Sequence, residues 1–127
     1  MLDVLTANVI KARAEFTQAR RDLKDAEEAL QMSEADLFLR CDYKALGSNE
    51  TERKAKFEAL KRTDGAYGKA LYRRNVAESV SDALKDALET AQDCRRAYEN
   101  ALKAAYLEGQ FGSIVRPEDF SQTFSEF

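Results

Sequence analysis

At 127 residues the chain has room for one domain and none for a second core of ordinary size. Alanine, leucine, glutamate, lysine and arginine dominate, the usage of long helices and coiled coils, and a net charge of -3 is too balanced for a DNA-binding protein and too mild for an acidic nucleic-acid mimic. The absence of histidine removes the commonest general base, the usual nucleophile triads and the commonest zinc ligand, so we expect no enzyme, no cofactor and no metal site.

The chain opens on Met1-Leu2-Asp3, without the basic start and apolar run of a secretory signal. No apolar stretch approaches membrane-spanning length, and the cytosol is the expected compartment. A first helix is predicted over 3–45. Leu2, Leu5, Val9, Ala12, Phe16, Ala19, Leu23, Ala26, Leu30, Ser33 and Leu37 form an unbroken 3-4 repeat, the signature of a coiled-coil seam. The run stops at Leu46-Gly47-Ser48-Asn49. Gly47 is placed to take the left-handed conformation that closes a helix, and Asn49 with Glu52 to cap the next one.

A short second helix is predicted over 50–62, anchored by Phe57 and Leu60. Thr63-Asp64 offers a further cap ahead of a third helix over 64–107. That helix carries its own stripe of Ala66, Ala70, Arg73, Ala77, Val80, Leu84, Ala87, Ala91, Cys94, Tyr98, Ala101 and Ala105. The two stripes align antiparallel when facing residue numbers sum to 110, pairing Leu5 with Ala105, Val9 with Ala101 and Leu30 with Val80. Large faces small at most layers, as a close-packed seam requires. The expected fold is all-α: a long antiparallel helical hairpin (a coiled coil) over 1–108, with a short third helix at the elbow. An irregular acidic-aromatic tail follows over 109–127. In that register Cys94 lies opposite Phe16 while Cys41 lies near the elbow, so both are expected as buried small residues and not as a disulfide.

Three features remain beyond the seam. Between Arg40 and Arg74 stand ten basic and five acidic residues, so the elbow carries +5 while the rest of the chain carries -8. Its candidate partner-binding cations are Lys44, Arg53, Lys54, Lys56, Lys61, Arg62, Arg73 and Arg74. They read either as a contact surface for an acidic protein patch or nucleic acid, or as ordinary solvated helix. The same region holds Phe38, Leu39, Tyr43, Phe57, Leu60, Tyr67, Leu71 and Tyr72, enough for a three-helix core with an excess that could bind a partner. The tail brings Phe120, Phe124 and Phe127 among acidic residues, like short peptides that dock into grooves, or like a segment packing on its own helices. A seam with alanine at half its layers buries little. Ile10, Met32, Leu88, Leu102 and Tyr106, which lie off it, point to a second interface and a homodimer.

The stretch from Asp42 to Ala55, Asp-Tyr-Lys-Ala-Leu-Gly-Ser-Asn-Glu-Thr-Glu-Arg-Lys-Ala, resembles a segment of small helical proteins of phages and prophages. Those proteins share a Tyr-Lys-x-Leu-Gly-Ser-Asn-Glu-x-Glu-Arg pattern between long helices. The resemblance covers 14 of 127 residues and implies a phage origin. Small phage proteins of this kind are often inhibitors of host defence, anti-CRISPR-like in action, and helical host-nuclease inhibitors offer an analogy of shape. The expected function is therefore a non-enzymatic protein that binds and inhibits a host defence or DNA-processing complex. A self-associating structural or adaptor coiled coil is the first alternative. Nucleic-acid binding through the basic elbow is the second.

Overall fold

A computed structural model of the chain describes the backbone of residues 1–115 and the side chains of residues 1–109. Helix α1 runs over Leu2–Arg40, α2 over Glu50–Thr63 and α3 over Gly65–Val115, with a 3-10 turn at Tyr43–Leu46. No strand occurs among the described residues. The long helix α1 packs against the long helix α3, giving the expected helical hairpin. Backbone contacts divide the chain into two compact units, Met1–Arg13 with Ala87–Phe127, and Ala14–Asp86.

The stripe expected on α1 is the one buried. Val9, Ala19, Ala26 and Leu37 are buried, and Leu2, Leu5, Ala12, Phe16, Leu23, Leu30 and Ser33 are half-buried at the same 3-4 spacing. On α3 only five of the twelve expected stripe positions turn inward. Ala70, Ala77, Leu84, Ala91 and Tyr98 turn inward, but Tyr67, Arg74, Ser81, Leu88 and Arg95 take the alternate layers. Ala66, Arg73, Val80, Ala87 and Cys94, each one residue earlier, are exposed. One step along a helix is about 100° of rotation. The seam thus accepts a serine and two arginines, whose stems and hydroxyl pack while the apolar neighbours face outward. Cys94 is exposed and Cys41 half-buried, both as free thiols, correcting the expectation that both are buried.

Within the unit Ala14–Asp86 the register also differs. Arg74 Nη2 lies 3.9 Å from Glu27 Oε2, and Arg40 Nη2 lies 3.2 Å from Asp64 Oδ1. Those facing numbers add to 101 and 104, so the helices sit about one heptad from the expected 110. The cause is where α1 ends. It stops at Arg40, five residues short of the predicted 45, because Asp42 is extended at φ -87°, ψ 91°. The bend lets Tyr43 fold back onto Phe38 and Phe57, with ring centroids 4.8 and 5.9 Å apart.

Gly47 does not take the left-handed conformation. It is extended at φ -173°, ψ 172°, a backbone open to any residue. Glycine is needed there for space, since a Cβ would lie 2.7 Å from the Glu52 side chain. Asn49 does cap α2, its Oδ1 accepting the Glu52 N–H at 2.8 Å. The Glu52 carboxylate reaches back one residue further than expected, accepting from the Ser48 N–H at 2.7 Å. Asp64 serves two helices at once: its N–H donates to the Leu60 carbonyl to close α2, and its carboxylate accepts from the Tyr67 N–H at 2.9 Å to open α3.

In the unit Met1–Arg13 with Ala87–Phe127, Val9 and Leu88 are buried, Leu2, Leu5, Ala12, Ala91 and Tyr98 half-buried. Every described residue of α3 from Ala101 to Gly109 is exposed, so Ala101 and Ala105 do not form seam layers. Helix α3 also continues through Gly109 and Gly112 to Val115, beyond the predicted end at 107.

Candidate protein-contact surface at the elbow

Helix α2 is held to α1 by one buried aromatic, Phe57, which meets Phe38 edge-on at 5.7 Å. Lys61, one turn on, is drawn into the same junction. Its Nζ donates to Glu58 at 2.8 Å and to Glu34 of α1 at 3.1 Å, and lies over the rings of Phe57 and Tyr67 at 5.6 and 5.5 Å. The bond to Glu58, with that to Glu34, raises its pKa against the opposing effect of burial. Lys61 is thus a strut between helices.

The elbow cations separate into two sets. Arg53 donates to the Gly47 carbonyl at 3.2 Å and to Glu50 at 3.2 Å, bracing the turn before α2. Arg74 bonds Glu78 at 3.0 Å and approaches Glu27 across the seam. Lys56 stands 4.0 Å from Glu52 and stays largely exposed. Lys44, Lys54, Arg62 and Arg73 are exposed and make no ion pair among the described residues. The charge expected of the tip is therefore partly consumed internally, and four of the eight candidate cations remain open to a partner. Phe120, Phe124 and Phe127 lie outside the described residues.

The aromatic and aliphatic residues separate likewise. Phe57 is buried and Tyr43, Leu60 and Tyr67 are half-buried, whereas Leu39 is 82% exposed, Tyr72 72% and Phe38 44%. Gln31, Glu34, Ala35, Phe38, Leu39 and Phe57 line a groove of about 460 Å³ between α1 and α2. Lys54 precedes Lys61 by two helical turns and so lies on the same flank of α2, where it is exposed and makes no ion pair among the described residues. Gln31 and Glu34 were not singled out from the sequence, since nothing local distinguishes them from other polar positions on α1.

Three carboxyls at this elbow are held below their ordinary values. The Tyr67 N–H, aided by Arg40, holds Asp64 under 3.8; the Tyr43 hydroxyl, aided by Arg53, holds Glu50 under 4.5, and the Ser48 N–H does the same for Glu52. A carboxyl depressed on folding stabilises the fold above its unfolded pKa, and that contribution is lost as pH falls through the folded value. Stability to urea should be flat from neutrality to about pH 5 and decline below about 4.5. Asp64→Asn should flatten part of that acid limb, and an unchanged limb would show that Asp64 is not a linked group.

Among the described residues no three Cys, Asp or Glu side chains are arranged to hold a metal ion, and no helix is long and apolar enough to cross a membrane. No family model matches the chain, and neither does any curated protein or solved structure.

Proposed function

We propose that the chain is a non-enzymatic protein-binding protein that acts through its elbow, occupying a surface on a host defence or DNA-processing complex. The observation that carries this is the groove beside Leu39: an aliphatic side chain 82% exposed next to Phe38 and Phe57, with Lys54 exposed on the same helix as Phe57. Apolar surface of this kind gains from being covered, and a flanking cation favours a partner segment that sets a large apolar side chain among carboxylates. A surface meant for nucleic acid alone would need the cations and not the exposed leucine. The segment from Tyr43 to Arg53, on which the resemblance to phage proteins rests, forms the turn between α1 and α2.

The test is affinity capture from bacterial lysate with wild type, Leu39→Glu, and the triple reversal of Lys44, Lys54 and Arg62 to Glu. A discrete host complex should be retained by wild type and lost by both variants, and purified wild type should inhibit that complex where Leu39→Glu does not. Recovery of the chain alone from every sample would favour the adaptor reading. Capture of nucleic acid abolished by the charge reversal but not by Leu39→Glu would favour the second alternative.

A further inference from the structure

The residues displaced from the α3 seam form a surface of their own. Val76 and Val80 are 44% and 46% exposed. With Arg73 and Ala77 of α3, and Ala19 and Asp22 of α1, they line a groove of about 320 Å³. The groove carries one charge of each sign, and neither is neutralised. Asp22 accepts an amide N–H from Gln18 at 3.0 Å and meets no cation, while Arg73 meets no carboxylate, among the described residues.

We propose that this groove is the interface between two copies of the chain, related by a two-fold axis passing α3 near Val76, with Arg73 of each copy paired to Asp22 of the other. A two-fold contact sets a patch against itself, so the patch must carry both members of any ion pair it makes. Two antiparallel α3 helices related by an axis between Val76 and Ala77 bring residue 73 of one opposite residue 80 of the other. Asp22 lines the groove beside Val80, within the span of an arginine side chain brought to that position. Ala19 and Ala77 supply the small side chains between which the valines of a second copy can seat. The need for such a contact is visible in the core: no large side chain among the described residues is fully buried. A single copy of a chain this small leaves much of its apolar surface in water.

Sedimentation or light scattering at high micromolar concentration should return twice 14.3 kDa for wild type. The double variant Val76→Glu, Val80→Glu should return 14.3 kDa with its helical circular dichroism intact. Asp22→Arg and Arg73→Asp should each weaken the dimer about tenfold or more, and their combination should restore it. Val76→Cys, in a background of Cys41→Ser and Cys94→Ser, should form a disulfide-linked dimer on mild oxidation, because equivalent residues approach one another near the axis. A wild-type mass of 14.3 kDa, or a dimer indifferent to the two glutamates, overturns the proposal. A charge swap that fails to restore the dimer refutes the pairing and the axis with it. Leu39→Glu should leave the mass unchanged, so failure here is separable from failure of the elbow reading.

Discussion

Replacing Phe57 by alanine should lower stability by about 3–5 kcal/mol, the range for truncating a buried phenylalanine. The elbow is built around this ring. It is 7% exposed, Phe38 and Tyr43 meet it edge-on at 5.7 and 5.9 Å, and the Lys61 ammonium lies 5.6 Å from its centroid. Removal therefore leaves a cavity and also deprives Lys61 of the apolar wall against which it bonds Glu34. Against a typical total of about 5–15 kcal/mol, the loss is a large fraction of what holds a small domain folded. Urea titration followed by far-ultraviolet circular dichroism and by the near-ultraviolet tyrosine signal should show the midpoint falling in both. Phe38→Ala, at a site 44% exposed, should cost distinctly less. An unmoved midpoint for Phe57→Ala would mean that α2 does not depend on this anchor.

The second large effect is expected at Ala26, which has no exposed surface at all. Leucine there must either adopt a strained rotamer or push α1 away from α3, and overpacking of this kind costs about 1–3 kcal/mol. Ala87→Leu is the matched control. Both alanines belong to the stripes read from the sequence, but Ala87 is exposed, and a surface change should fall within about 0.5 kcal/mol. Equal costs at the two positions would contradict the seam described for α3. Chemical denaturation of the two variants beside wild type separates the outcomes.

That contrast marks how far the sequence could be read. On α1 the apolar residues coincide with one face, so the seam from Leu2 to Leu37 was legible directly. On α3 two stripes compete one residue apart. Val80, Ala87 and Cys94 look like core, yet Ser81, Leu88 and Arg95 occupy it, because packing values the arginine stem and the small serine at those layers. The register was less legible still. A heptad repeat shifted by seven keeps its phase, so stripe alignment cannot tell one heptad offset from the next. What decides is the helix end, and extending α1 to 45 instead of 40 carries almost the whole error into the facing sum. That end depends on Tyr43 reaching Phe57 across fourteen residues, a contact no local propensity encodes. The caps at Asn49 and Asp64 were visible because capping is local. Of the candidate contact residues, charge could be counted from the sequence, but only geometry reveals that Arg53, Lys61 and Arg74 are spent on internal partners.

The double duty of Asp64 has a consequence for how such a chain tolerates insertions and deletions. One residue alone separates α2 from α3, and it closes one helix, opens the next and accepts from Arg40 of α1. Adding or removing a residue there would turn everything downstream by about 100°, carrying the inward positions of α3 out of phase along its whole seam. A residue added in the extended turn before α2 would cost the Ser48–Glu52 and Arg53–Gly47 hydrogen bonds that brace it, but it would not by itself rotate α3. Natural length variation at this elbow is accordingly expected on the α1 side of α2, with the Thr63-Asp64-Gly65 junction held at a fixed count.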